Sequence, residues 1–572
     1  MKPGMSKAVD ANAIVARAIQ CHQAGNLDEA QSLYEKALAL RPLQPDALHL
    51  SAVLLHQRGN ARAALQRFAA ALEVSPKVAA IHFNRGKALR DSHKLDDAIA
   101  SLERATKLEP RFDQAHYELA TALDESGQYE KALDSFTRAA SLRPSAPAWQ
   151  GVGNCLARLQ RGEEAVQAFL SALQLEPGNG DAAYNLALVQ ASIGRAPQAL
   201  EIAHRIAVAP SANHHGRATA LFQAGQIQLC LGQLAQARQF FQQTLSLETK
   251  HPQALVGLAQ LDLLEGQWES GWAGYETRWL LQDKQVSDAI WARPRWSGRE
   301  SLEGKTILVH AEQGLGDTLQ FCRYLPLLEA RGAKVVAQVQ APLTTLLRRS
   351  LSSTIRVLDE GGDPGEWDWH CPLLSLPLAF ATRLDSIPAN DSYLVAGARP
   401  QWLQACRDEA ANRDCLFVGL AWSGNIRHAN DINRSIPPNA LRMLLEANRD
   451  MPNRKIRFVA LQTQFRTADQ EILAQNPSLA QFVGKIDSFD DTAALIGACD
   501  LVISADTSVA HLAGALGHAV WVLLPHVPDW RWMLGREDSP WYPRARLVRQ
   551  QRPGDWAGVM RQVVQDLRER YT

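Results

Sequence analysis

Gly25-Asn26-Leu-Asp-Glu-Ala30-Gln-Ser-Leu-Tyr34-Glu-Lys-Ala37-Leu-Ala-Leu-Arg-Pro42 decides how the first half of this chain folds. Ala30, Tyr34 and Ala37 are spaced by four and three residues, so a helix carries all three on one face. Pro42 stops that helix, because its ring cannot extend the hydrogen-bond ladder. Gly25-Asn26 reads as a tight turn from a preceding helix. Working outward, the small-large-small mark returns at Ala64/Phe68/Ala71, Ala98/Leu102/Ala105, Ala132/Phe136/Ala139 and Ala165/Phe169/Ala172, with Ala199 next in step. Pro42, Pro76, Pro110 and Pro144 fall 34 residues apart, and Pro177 follows after 33. Gly59-Asn60, Gly127-Gln128 and Gly194-Arg195 repeat the turn.

A 34-residue period of this kind resembles the tetratricopeptide repeat. The alanines let two helices approach closely, and the aromatic or leucine fills the space beside them. About seven repeats run over residues 10–252, the sixth and seventh less regular, and a degenerate eighth covers 253–280 with Trp268, Trp272 and Trp279. The expectation is an all-α solenoid over 10–280. Such arrays present a groove lined by the first helix of each repeat, suited to an acceptor protein or peptide, to scaffolding or to a homodimer contact.

With 572 residues the chain divides into two to four folding units. Lys+Arg and Asp+Glu both total 60, a balance that gives no long-range attraction to nucleic acid or anionic membrane. The first 20 residues hold no apolar signal core, and no run approaches the roughly 20 apolar residues of a membrane span. Eight scattered cysteines without a C-x-x-C fit a reducing, cytoplasmic setting better than disulfides or structural zinc.

Composition changes near residue 268: only Trp149 precedes it, and the other 14 tryptophans lie at or beyond it. Residues 281–303 read as a cap and hinge. From Lys305 onward, short β-branched runs alternate with amphipathic helices, at 306–310, 334–339, 354–358, 417–422, 457–462, 501–504 and 519–524. That alternation predicts parallel sheets covered by helices, in two lobes at 304–395 and 412–572 divided by the polar stretch 396–414. Ligands of such sheets sit where strand carboxyl ends open into loops.

Three such loops carry candidate chemistry. His310-Ala-Glu312-Gln-Gly314-Leu-Gly316-Asp317 follows the first strand and leads into a helix expected over 318–330, with Asp317 at its start either as an N-cap or as a base. Asp506-Thr507-Ser508-Val-Ala-His511 follows a buried strand; hydroxyls and a positive helix end suit a diphosphate, while His511 also reads as a packing histidine. Trp422-Ser423-Gly424-Asn425-Ile-Arg427 with Arg434 begins where a strand ends, and its arginines are either phosphate clamps or solvated loop residues.

The block from Ser504 to Gly517 resembles the donor-site signature of the bacterial lipopolysaccharide heptosyltransferases, glycosyltransferase family 9. The resemblance covers roughly residues 305–550 and implies a two-lobed GT-B fold of Rossmann-like halves. It also implies that Asp506, Thr507 and His511, with Ser508, bind a nucleotide-sugar. Gly-Leu-Gly-Asp317 resembles the family's turn bearing a general base, with His310 and Glu312 in reserve, and the Trp422-Ser-Gly-Asn loop with Arg434 resembles its phosphate-binding loop. The overall layout is similar to O-GlcNAc transferase and to bacterial repeat-plus-transferase proteins proposed to modify flagellin. The asparagine ladder of the former is represented here only by Asn154. The expected activity is therefore inverting sugar transfer from a nucleotide-sugar substrate to a hydroxyl, on a protein held by the repeats, flagellin being one candidate. Without a D-x-D in the second half, no metal or other cofactor is expected. The alternatives are a non-catalytic interaction protein with a degenerate transferase region, and a heptosyltransferase-like enzyme acting on a glycan.

Overall fold

A computed structural model of the chain describes all residues except 1–9, 209–213, 282–287, 389–390, 399–400, 402, 405–406, 409–414, 426–427, 429, 448–455, 481, 483 and 572. Much of the stretch expected to divide the lobes, and Arg427, thus lie outside the described residues.

Among the described residues, sixteen helices form eight helix–turn–helix pairs, from Ala11–Gln23 and Leu27–Leu40 to Pro252–Leu264 and Trp268–Tyr275. The second helices end at Leu40, Val74, Leu108, Leu142 and Leu175, each two residues before its proline. Ala30, Ala64, Ala98, Ala132, Ala165 and Ala199 are fully buried, and so are Tyr34, Phe68, Leu102 and Phe169 beside them. Each such large side chain contributes roughly 1.5–3 kcal/mol by leaving water. The turns use a left-handed residue, glycine at 25, 59, 127, 194, 232 and 266, but His93 and Gln160 in the third and fifth repeats.

The chain divides into two compact units, Met1–Ala182 and Ala183–Thr572. The first holds five repeats and the start of the sixth. The second holds the remaining repeat helices together with two parallel sheets.

The first sheet has β1 (Thr306–His310), β2 (Lys334–Val339), β3 (Arg356–Asp359) and β4 (Trp369–Pro372), in the order β3-β2-β1-β4. The second has β5 (Leu416–Ala421), β6 (Ile456–Ala460), β7 (Leu501–Ala505), β8 (Val520–Leu524) and β9 (Ala545–Arg549), in the order β6-β5-β7-β8-β9. All pairings are parallel. Chain order therefore reverses between β1 and β4 in one sheet and between β5 and β7 in the other. Loops leave in opposite directions at these reversals and open a crevice at the strand carboxyl ends. The first crevice is bounded by the His310–Asp317 segment, the second by the loops that follow Ala421 and Ala505. β4 and β9 were not foreseen from sequence. One is four residues ending in proline, and the other carries two arginines in five residues.

Within the second unit one apolar cluster joins the last repeat (Val256, Trp268, Trp272) to the first sheet and the helix after β1 (Ile307, Val309, Phe321), and to the helix after β7 and the loop before β9 (Leu512, Trp541). Trp530 lies edge-on to Trp272, with ring centroids 5.2 Å apart. Arg278, just past the last repeat helix, donates two 2.8 Å hydrogen bonds to Glu312 at the end of β1 and a third to Ser375. Solenoid and sheets here share one core.

Candidate functional site

Asp317 sits at the third position of the helix Leu315–Phe321, not at its N-cap, which is Gly314. The helix is shorter than the expected 318–330, because Pro326 interrupts the ladder and the chain passes through a 3-10 turn at Cys322–Tyr324. One Asp317 oxygen accepts from the Gly314 N–H at 2.8 Å, closing the turn. The other accepts from Arg531 at 2.5 Å. Arg531 follows β8, 214 residues later, and also donates to Asp529 and to Gln320, both at 2.8 Å. Burial raises the Asp317 carboxyl above its ordinary range, against the pull of Arg531. Asp529 and Asp317 together outweigh burial on Arg531 and hold it firmly protonated.

At Gly316 another part of this chain comes close. A Cβ there would lie 2.9 Å from His511 Cδ2 and 3.6 Å from Ser508 Cα, so the helix after β7 (Ser508–Ala515) abuts the helix after β1. The loops after β1, β7 and β8 thus meet at one place. His511 Nδ1 lies 2.9 Å from the Tyr542 hydroxyl, and its ring stacks on Trp532 at 5.3 Å. Its Nε2 is 3.8 Å from the Asp506 carboxylate. Burial, with Arg531 next, lowers the histidine pKa, so the ring is neutral. Burial and the charge of Asp529 push Asp506 up to about 6. Thr507 caps its own helix through the Val509 N–H.

Arg434 donates to the Asp506 carbonyl at 3.2 Å and lies over Gly424, where a Cβ would be 2.8 Å from its Nη2. Its Nε is buried without a partner among the described residues. Asn425 is exposed, and Gly424, Ser508 and Arg434 are half-buried. Asp506, Thr507 and His511 are each less than a tenth exposed.

Four sequence candidates lie elsewhere for clear reasons. Trp422 is buried, its indole N–H donating to Asp469 at 3.1 Å. Ser423 is held through backbone and hydroxyl by Gln462. Both shape the loop after β5 from within. Glu312 is sealed in its ion pair with Arg278 and accepts from the Leu374 N–H, and its side chain is fully buried, so no acceptor hydroxyl can reach it. His310 faces the opposite side of β1, stacked on His370 at 5.7 Å beside Trp279, and burial drives its pKa to about 3.

A cavity of about 490 Å³ opens beside Asp317. Tyr184, Leu188, Gln226, Leu229, Gln260 and Leu264 of the last three repeats form one wall. His428, Asn430, Ile432 and Asn433, with the loops 525–531 and 550–556, form the rest. Asp506, Thr507, His511 and Arg434 are not among its lining residues; they lie behind it. Sequence reading missed Arg531, Asp529, Gln226 and Gln260. Arg531 carried only the weak signal of an arginine between two tryptophans.

Models of the tetratricopeptide repeat match residues 22–83, 83–147 and 153–215, so the chain carries these repeats in its N-terminal part, followed by an α/β region of parallel sheets. Among curated proteins, Protein FlbA of Caulobacter vibrioides is 27% identical over 447 residues, spanning 72% of this chain and 71% of the relative. Solved structures similar to part of the chain include PilF of Pseudomonas aeruginosa (18% identity, TM-score 0.31, covering 34% of this chain and 90% of that one). Another is a tetratricopeptide protein of Parabacteroides merdae (16%, TM-score 0.34, 42% and 93%). A third is MamA from Desulfovibrio magneticus (21%, TM-score 0.29, 31% and 99%). Among the described residues no helix is long and apolar enough to cross a membrane.

Proposed function

We propose that the chain is a glycosyltransferase of GT-B type, similar to family 9, that moves a sugar from a nucleotide-sugar to a hydroxyl, with a protein as acceptor. The observation that supports this reading is the meeting of three strand-end loops: Gly316 and Asp317 after β1, Ser508 and His511 after β7, and Arg531 after β8. Asp317, after a strand of one sheet, there pairs with Arg531 of the other, beside the helix start at Ser508.

In this reading the donor diphosphate lies on the half-exposed side of Gly424, Asn425, Arg434 and Ser508. Asp317 takes the proton of the acceptor hydroxyl as its oxygen attacks the anomeric carbon from the face opposite the leaving diphosphate. The C–O bond to phosphate breaks, configuration inverts, and negative charge grows on the departing phosphate. Arg434, Thr507, Ser508 and the positive helix end stabilise that charge as it develops. Arg531 holds the base ionised until the acceptor arrives.

The test is a screen of nucleotide-sugars against the full chain by thermal shift, followed by product analysis. A donor at 100 times its Kd adds about 2.7 kcal/mol of stability. Asp317→Asn should keep that stabilisation and lose about 10²–10⁴ in turnover. Arg434→Ala should lose the stabilisation itself. Full turnover by a folded Asp317→Asn protein removes the aspartate from the base role.

One observation favours the second reading, a non-catalytic interaction protein. Both Asp317 oxygens are engaged, and Asp506 and Thr507 lie behind the open cavity. Failure of every nucleotide-sugar to stabilise the chain would select it.

A further inference from the structure

The cavity beside Asp317 has a chemistry unlike the rest of the surface. Across a chain in which 21% of residues are charged, its only Asp, Glu, Lys or Arg among the described residues are Asp317, Asp529 and Arg531, which pair with one another. The repeat wall offers a diphosphate no cation.

That wall does present neutral amides. Gln226 and Gln260 sit six residues before the left-handed turn glycines Gly232 and Gly266, so they occupy one position in successive repeats. Neither side chain has a hydrogen-bond partner among the described residues, and both line the cavity. Leu188, Leu229, Leu261 and Leu264 alternate with these donors along the repeat helices.

We propose that this cavity seats an extended, uncharged segment of an acceptor polypeptide. Gln226 and Gln260 capture its backbone carbonyls, and a serine or threonine hydroxyl points at Asp317. The inference deepens the transferase reading and rests on it for the role of that hydroxyl. The leucines favour a peptide over a glycan, since they offer sugar hydroxyls no partner.

The experiment uses the full chain and a bead library of end-blocked heptapeptides with a central serine. Three proteins are compared: wild type, Gln226→Leu/Gln260→Leu, and Asp317→Asn. Leucine is the natural residue at the same position of the sixth repeat, Leu188, so the double variant should fold, as its melting temperature will report. Wild type and Asp317→Asn should select the same uncharged sequences. The double variant should bind them at least ten-fold more weakly. Selection of charged sequences, equal binding by the double variant, no enrichment at all, or binding of neutral oligosaccharides in place of peptides would each overturn the proposal. Glutamine-dependent peptide binding without sugar transfer would leave it standing and remove the transferase. Transfer that ignores both glutamines would do the reverse.

Discussion

At the scale of single residues, the buried carboxylates behave differently according to what faces them. Asp317 has an arginine; Asp506 has a neutral histidine at 3.8 Å and a second carboxylate nearby, and its pKa stands at about 6. A folded pKa above the unfolded one means that the native state binds the proton more tightly. Stability attached to Asp506 is therefore present at low pH and lost as pH rises from about 4 through about 6, a change of roughly 2–3 kcal/mol. Asp506→Asn should abolish that loss, so denaturant titrations of the two proteins should diverge across this window and run parallel above it. Parallel curves from pH 4 upward would mean that Asp506 is not buried as described. Arg531→Met should cost about 3–5 kcal/mol, since it strands Asp317 and Asp529 against each other. Asp506 and Thr507 could be placed from sequence at a strand-to-helix junction, and that is where they lie. Arg531 could not, because nothing local to Asp529-Trp-Arg-Trp532 tells which distant carboxylate it will meet.

Among elements, the repeats were legible because a helix pair that buries its alanines must do so at a fixed step. Even their irregularities follow local rules. Exposed His93 holds φ 58° where other repeats have glycine, at a cost of about 1 kcal/mol for a side chain in the left-handed region. His93→Gly should raise stability by about that amount. Gly59→Ala, with φ 77° and open space around its Cβ, should lower it by as much. Chemical denaturation of both variants checks the pair, and a destabilised His93→Gly would show that its ring has a task. The use proposed for the first helices was hidden for a simple reason. Gly194 and Gly232 are 38 residues apart rather than 34, so a fixed step carried from the earlier repeats misses Gln226 and Gln260. β4 and β9 were hidden by their brevity and arginines, and with them the strand orders that locate both crevices.

For the molecule as a whole, the seam between repeats and sheets turns on Arg278 and Glu312, both sealed from solvent. Breaking a buried pair from one side leaves an uncompensated charge, whereas replacing both partners removes the problem. Arg278→Met should therefore cost about 3–5 kcal/mol, and Arg278→Met/Glu312→Leu should recover most of it. A double variant as unstable as the single one would assign the loss to the Ser375 and Glu276 contacts of the arginine instead.

The shared core of the second unit has a practical and an evolutionary outcome. A protein cut at residue 304, where strands replace helices in the sequence, would lay bare Phe321, Trp530 and Trp541, and should aggregate. One cut at 183 keeps those rings covered and should give a soluble, cooperatively melting fragment. In evolution, the last repeat can change only in concert with the sheets it packs against.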